Sequence, residues 1–134
     1  MLRQPDIRLR AFTLVEIMVV AAIISLIAVI AVPNWLRARE RSQASVILED
    51  LRLISEAIDQ FAVENNSKQG DTASWAQIHP YIKTGTRLQA SGGLDLFGNS
   101  FGSSFTVDTP PKLPAATFSA LSDTTPAEYW APFY

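Results

Sequence analysis

The first long pattern in the chain is an almost unbroken apolar run. From Phe12 to Val32 every side chain is apolar except those of Thr13, Glu16 and Ser25. A helix of that length measures roughly 31 Å, which is about the thickness of the hydrocarbon core of a bilayer. Such a helix satisfies its own backbone hydrogen bonds, so the segment can span a membrane. The pattern predicts a transmembrane helix over residues 12–33.

Beyond Pro33 the pattern changes to that of an amphipathic helix. No Pro or Gly occurs from Asn34 to Asn66. Apolar side chains recur there at steps of three and four, and charged residues, Asp50 among them, fall on the other faces. The apolar stripe consists of Ala44, Ile47, Leu51, Ile54, Ile58 and Phe61. Because Pro33 lacks an N–H and crowds the preceding turn, we expect one long helix kinked near that residue and ending at about Asn66.

The chain after Asn66 contains only short candidate elements. They are, in order, a short helix capped by Asp71 or Thr72, turns at residues 83–86 and 92–93, a strand over residues 101–107 and a final strand over residues 116–121. So short a segment cannot form a large core without disulfides, so it must pack on the amphipathic half of the long helix. The predicted fold class is α+β. A long N-terminal helix packs on a small C-terminal head with a short helix and a few antiparallel strands, and the head spans residues 34–134.

The amino-acid composition excludes several classes of function. The chain has 134 residues with a net charge of -2, which is the size of one domain and gives no basic surface for nucleic acid. The absence of cysteine excludes disulfides and thiolate metal sites. His79 is the only histidine, so a catalytic triad would depend on it alone, and no nucleophile is placed beside it. We therefore predict that the chain is not an enzyme.

Three explanations fit the N-terminal segment at this point. One is a plain single-span anchor, and another is a secretory signal peptide cut near Ala31, although the apolar run is longer than the usual signal. Neither explains Glu16. A carboxylate at the centre of a membrane helix costs about 2.5–3.5 kcal/mol, and the position of Glu16 near the start of the run lowers this cost without explaining the residue. In the third, cleavage between Ala11 and Phe12 creates an amino terminus one helical turn from Glu16. The carboxylate of one copy would then meet the ammonium of the next in a staggered bundle.

The N-terminal residues resemble the signal of type IV prepilins and type II secretion pseudopilins. A basic leader, the small residue Ala11, the sequence FTLVE and a run closed by Pro33 carry the resemblance. It implies that a prepilin peptidase removes residues 1–11 and methylates the amino terminus of Phe12. Glu16 would correspond to the glutamate that registers subunits, and Pro33 to the helix-kinking proline. The family usually has Gly where this chain has Ala11, and we expect processing to survive because alanine is the next smallest residue.

A second segment also carries a resemblance. Asp95 to Phe101 has turn chemistry and is similar to the D-x-W-G-N segment of major pseudopilins, with Phe97 in place of Trp. In those proteins the nearby C-terminal loop binds calcium. The oxygen ligands available here are Asp95, Asp108, Asp123 and Glu128. Because they are not spaced as in a known calcium loop, we predict no cofactor or metal and keep calcium as an alternative.

These observations predict a structural subunit of a type IV pilus-like filament. The expected precursor is a single-pass protein of the bacterial inner membrane with its head in the periplasm, and the product is a filament in the periplasm or at the cell surface. Expected partners are copies of itself or other pilins, the peptidase, the inner-membrane assembly platform and the lipid bilayer. Two alternatives stay open: a major pseudopilin of a type II secretion system, and a membrane-anchored binding module that does not polymerise.

Overall fold

The chain forms one long helix followed by a series of short elements, and the computed structural model describes residues 12–134. The elements are α1 (Leu14–Glu64), β1 (Thr72–Ser74), α2 (Trp75–Ile78), a 3-10 turn (His79–Tyr81), α3 (Arg87–Ser91), β2 (Ser104–Thr106), α4 (Ala115–Leu121) and a second 3-10 turn (Ala127–Trp130). The chain divides into two compact units, one ending at Leu36 and one from Arg37 to Tyr134. This composition confirms the predicted α+β class.

In the first unit the helix is apolar and uncovered. Every residue from Phe12 to Leu36 is exposed, including large side chains such as Leu26 and Ile30. Within residues 12–134, α1 is the one helix long and apolar enough to cross a membrane. It continues through Pro33 without ending, and the kink at that residue stays a prediction.

The end of α1 agrees with the sequence pattern to within two residues. The helix stops at Glu64, and Asn66 follows with a positive φ of 50°. Asn is one of the few residues that adopts this left-handed conformation readily. The N–H of Ser67 then donates to the carbonyl of Ala62 at 2.9 Å, so the chain leaves the helix with a terminal carbonyl satisfied.

The second unit is built on the predicted apolar stripe of α1. Ala44, Ile47, Leu51, Ile54 and Ile58 are all at most 2% exposed. The side chains that complete this core come from the short elements and include Ala73, Ile78, Ile82, Leu88, Phe105, Leu121 and Trp130. The prediction that the C-terminal segment packs on the amphipathic half of the helix is therefore confirmed.

The sheet has two antiparallel strands, β1 and β2, and β1 includes Thr72, one of the two residues predicted to cap the short helix. Thr72 pairs with Thr106 in β1, so neither it nor Asp71 caps a helix, and that prediction was wrong. Asp71 instead accepts a hydrogen bond from the N–H of Lys68 at 2.7 Å in the turn that leads into the strand. The helix α2 starts three residues after Thr72. The predicted strand over residues 101–107 is present but shortened to β2.

The predicted final strand over residues 116–121 was also wrong, because this segment is the helix α4. Its two buried residues, Thr117 and Leu121, are four apart and so lie on one face of a helix. The alanine-rich sequence is compatible with that conformation. Pro114 directly precedes the helix, where its missing N–H leaves no intrahelical bond unmade.

Candidate assembly site at the start of the long helix

The first turn of α1 is closed by a reciprocal pair of polar side chains. One carboxylate oxygen of Glu16, Oε2, accepts hydrogen bonds from the N–H of Thr13 at 2.8 Å and from the Thr13 hydroxyl at 2.9 Å. The N–H of Glu16 donates back to Thr13 Oγ1 at 3.2 Å. This arrangement is a capping box, in which two helix-start donors are satisfied by each other's side chains. This capping box was not predicted, although the T-x-x-E spacing of the sequence indicates it.

The structure brings two of the four predicted site residues to one end of the helix. Phe12 is the first described residue, is 78% exposed and lies one turn from Glu16. Ala11 lies outside the described residues. Pro33 is inside α1, several turns away from this end. The roles assigned to these four residues stay predictions.

The chemistry available at this end is electrostatic. A carboxylate in the first helical turn is stabilised by the positive end of the helix dipole. Both capping bonds from Thr13 go to Oε2, and in the described part of the chain the second oxygen, Oε1, accepts no hydrogen bond. A carboxylate can accept about four hydrogen bonds, so Glu16 can hold its cap and still accept from an ammonium group.

Asp95 connects its own turn to the helix α4 through hydrogen bonds. Asp95 is only 4% exposed, and its Oδ1 accepts hydrogen bonds from the N–H groups of Phe97 and Asn99, both at 2.8 Å. Its other oxygen accepts from the hydroxyl of Thr117 on α4. The Asn99 side-chain amide also donates to Thr117 Oγ1 at 2.9 Å. The turn is therefore tied to α4 by a buried polar network.

That network bears on the calcium alternative. Both oxygens of Asp95 are already occupied by donors of the protein. Within residues 12–134 no three His, Cys, Asp or Glu side chains lie close enough together to hold a metal ion. The absence of a cofactor or metal stays a prediction, and calcium stays its alternative.

A partly buried ion pair connects α3 to α1. The sequence pattern had placed its acid on an exposed face. Asp50 is 4% exposed and pairs with Arg87. Burial raises the pKa of the Asp50 carboxyl, and the neighbouring guanidinium opposes that rise. Arg87 also donates through Nη1 to the carbonyl of Leu94 at 3.1 Å, so the pair reaches the loop that leads into the Asp95 turn.

Comparison with known proteins bears on what this N-terminal site is for. The family model for the prokaryotic N-terminal methylation motif matches residues 8–32, which include Phe12 and Glu16. Over 123 residues the chain is 28% identical to the type IV wide pilus major component PilA4 of Thermus thermophilus, covering 87% of this chain and 94% of that protein. The chain is therefore similar to type IV pilins and carries the methylation motif at its N-terminal end.

Two further relatives are a type IV pilin and a type II secretion protein. The chain is 39% identical over 88 residues to the type IV major pilin protein PilA of Myxococcus xanthus, covering 64% of this chain. It is 35% identical over 63 residues to the type II secretion system core protein G of Pectobacterium carotovorum, covering 47% of this chain. The matched region spans only 40% of each of these two proteins. No solved structure gave a significant match.

Proposed function

We propose that this chain is a structural subunit of a type IV pilus-like filament and catalyses no reaction itself. A prepilin peptidase cleaves between Ala11 and Phe12 and methylates the new amino terminus. The precursor waits in the bacterial inner membrane with its head in the periplasm, and an assembly platform moves it into the filament beside copies of itself or other pilins. The observation that carries the proposal is an uncovered apolar helix whose lone carboxylate, Glu16, lies one turn from Phe12.

The uncovered helix needs an apolar environment in both states. Large apolar side chains from Phe12 to Val32 are at least half exposed in the isolated chain, which is unfavourable in water. In the precursor the bilayer surrounds them. In the filament a bundle of the same helices replaces the lipid.

Glu16 sets the register of that bundle. A carboxylate left unpaired in an apolar bundle is strongly unfavourable, and pairing with the ammonium of a neighbouring Phe12 removes most of that penalty. The capping box supports this role because Thr13 holds the carboxylate in place through Oε2 and leaves Oε1 available. The pairing is satisfied only when neighbouring helices are shifted by about one turn.

The sharpest test is Glu16→Gln, because glutamine still forms a capping box but carries no charge. We expect filaments to be lost, since removing one partner of a buried pair costs about 3–5 kcal/mol. Ser25→Ala is the matched control. It removes another polar side chain from the same helix, whose hydroxyl donates to the carbonyl of Ala21 at 2.7 Å, and it should leave assembly intact.

Mass spectrometry of the mature amino terminus and electron microscopy of the filaments give the two readouts. A methylated Phe12 at the terminus is the expected product. Normal filaments from the Glu16→Gln variant would show that Glu16 caps the helix and is not required for assembly. An intact, non-polymerising chain would favour the membrane-anchored binding module instead.

A second candidate is a major pseudopilin of a type II secretion system. It is supported by the similarity to core protein G and by the Asp95 turn. The two candidates differ in where the filament is found. Long external fibres containing this chain support the pilus, and dependence of protein secretion on the chain without such fibres supports the pseudopilus.

A further inference from the structure

The two strands of the sheet have outer edges whose backbone groups are not used by the ladder. Along the ladder, the N–H of Trp75 donates to the carbonyl of Ser103 at 3.0 Å, and the N–H of Val107 donates to the carbonyl of Asp71 at 2.8 Å. In an antiparallel pair of strands, residue pairs that exchange such bonds alternate with pairs that do not. The residues of the two non-bonded pairs are Thr72, Thr106, Ser74 and Ser104. Their N–H and C=O groups therefore point away from the partner strand.

The edge of β1 is partly closed by a side chain, whereas the edge of β2 is open. On β1, the N–H of Ser74 donates to Oε1 of Gln77 at 2.8 Å. On β2, the carbonyl of Thr106 accepts from the N–H of Thr109 at 3.1 Å. Within residues 12–134, the N–H and C=O of Ser104 and the N–H of Thr106 form no hydrogen bond. An edge with such free groups is a template for a further strand.

A groove of about 260 Å³ lies along this open edge, and Ser104 and Thr106 line it from the strand. Phe101 and Phe105, which are only 6% and 5% exposed, give it an apolar floor. The Pro110–Pro111 segment lines it as well and, because proline has no N–H, offers no donor that would compete with those of the strand. The groove thus combines hydrogen-bonding backbone groups with an apolar surface, and both are features of sites that bind an extended peptide.

The charge at this groove is positive. Lys112 is the only charged residue that lines it. Lys112 is exposed, and in the part of the chain that the structure describes it forms no ion pair. An ammonium group in this position attracts a carboxylate. The groove therefore favours an extended segment that also carries a negative charge.

We propose that this groove binds an extended segment of another protein that carries a carboxylate. The segment adds a strand to the open edge of β2, where it exchanges hydrogen bonds with the N–H and C=O of Ser104 and accepts one from the N–H of Thr106. An apolar side chain of the segment covers the two phenylalanine rings, and its carboxylate pairs with Lys112. This inference goes beyond the proposed filament function and does not depend on it.

A second copy of the chain offers no such segment from its described residues. Its exposed acids lie in α1, in turns or in the second 3-10 turn. Asp71, which directly precedes β1, already takes part in the ladder through its carbonyl, and its carboxylate accepts from the N–H of Lys68. A helix uses its N–H and C=O groups internally, so the acids of α1 cannot accompany an added strand. The occupant is therefore a different polypeptide.

Amide hydrogen exchange of the full chain in detergent, followed by NMR, tests the docking site directly. The probe is the acetylated and amidated peptide Val-Thr-Val-Glu-Val, in which apolar and polar residues alternate and one residue is acidic. At a saturating concentration of this peptide, exchange of the Ser104 and Thr106 amides should slow by about tenfold or more, because both N–H groups become bonded. The Thr72 amide, on the outer edge of β1, is the internal control and should exchange at an unchanged rate.

Modified peptides test the backbone contact. N-methylation of alternate residues removes the N–H groups from one edge of the peptide strand only, so two such peptides cover its two edges. One of them should bind about tenfold more weakly or worse and the other should keep its affinity, since a single edge pairs with β2. Equal affinities for both would overturn the proposal. So would unchanged exchange of the Ser104 and Thr106 amides at about 1 mM of the unmodified peptide.

The charge of the groove is tested with a matched pair of variants. Lys112→Ala should weaken binding of the probe by about two- to fivefold, which is the effect of an exposed ion pair, and should not affect the same peptide with Gln in place of Glu. Lys83→Ala is the control, because Lys83 is an exposed lysine of the same head that does not line the groove. Equal losses from the two variants would overturn the proposed carboxylate contact.

Self-association gives the remaining outcome. If exchange of the Ser104 amide slows as the chain concentration rises without peptide, a second copy occupies the edge of β2, and the proposal is overturned. None of these measurements requires filaments, so the peptide site and the proposed filament function are tested separately.

Discussion

Removing the carboxylate of Asp95 should destabilise the head more than any change at an exposed acid. Asp95→Ala deletes the acceptor for the N–H groups of Phe97 and Asn99 and for the hydroxyl of Thr117. The two N–H groups lie in a turn that water reaches, so most of their bonding can be replaced. The Thr117 hydroxyl is fully buried, and leaving it without an acceptor costs about 1–3 kcal/mol. Because water replaces most of the bonding in the turn, we expect the total loss to be about 1–3 kcal/mol.

The assay is urea unfolding of the mature chain in detergent, followed by tryptophan fluorescence. Asp123→Ala is the control, since Asp123 is an exposed acid of the same head and should change the free energy of unfolding by less than about 0.5 kcal/mol. Thr117→Val combined with Asp95→Ala should give a coupling energy of about 1–3 kcal/mol, because the two side chains share one bond. The proposed stabilisation by the Asp95–Thr117 bond is refuted if Asp95→Ala lowers the free energy of unfolding by less than about 1 kcal/mol, or if the effects of the two substitutions are additive.

Two further predictions concern the rest of the head. Gly93 has a φ of +90°, and a Cβ there would lie 3.0 Å from the Trp75 indole. Gly93→Ala should therefore lower the free energy of unfolding by about 2 kcal/mol or more in urea titrations. Unchanged stability would contradict the close approach of the Trp75 ring. Burial raises the pKa of Asp50 above its ordinary value of 3.8. At pH values between 3.8 and the raised pKa, Asp50 is therefore protonated in the folded chain and ionised in the unfolded chain. The stability of the unaltered chain relative to Asp50→Asn should therefore decrease as the pH rises through this window, and an increase would show that Arg87 outweighs burial.

Local patterns in the sequence were sufficient for the long helix and for its core-facing side. Apolar steps of three and four over many turns define one face, and this periodicity does not depend on what later covers it. Five of the six predicted stripe residues, from Ala44 to Ile58, are therefore buried, and the sixth, Phe61, is partly buried. Asp50 and Ala57 are buried as well, although the predicted stripe did not include them. The N-terminal site is local as well: Phe12 and Glu16 are neighbours because four residues make one turn, and the T-x-x-E spacing specifies the cap.

The short elements of the head depended on partners distant in the chain. Residues 116–121 read as a strand, yet no strand lies beside them in the described structure, and Thr117 and Leu121 bury one helical face instead. Thr72 was expected to cap a helix, but it pairs with Thr106. Segments this short have weak intrinsic preferences, so tertiary contacts decide their conformation.

Charged groups show the same division. Amphipathic spacing placed Asp50 on an exposed face, and only the packing of α3 against α1 covers it and supplies Arg87 as its partner. The turn chemistry of Asp95 was visible in the sequence, but its bond to Thr117 joins residues 22 positions apart. The sequence by itself determined the features that depend on spacing along one helix, namely its apolar face and its N-terminal cap. Tertiary structure decided which polar groups are buried, because burial is produced by residues that the local pattern does not contain.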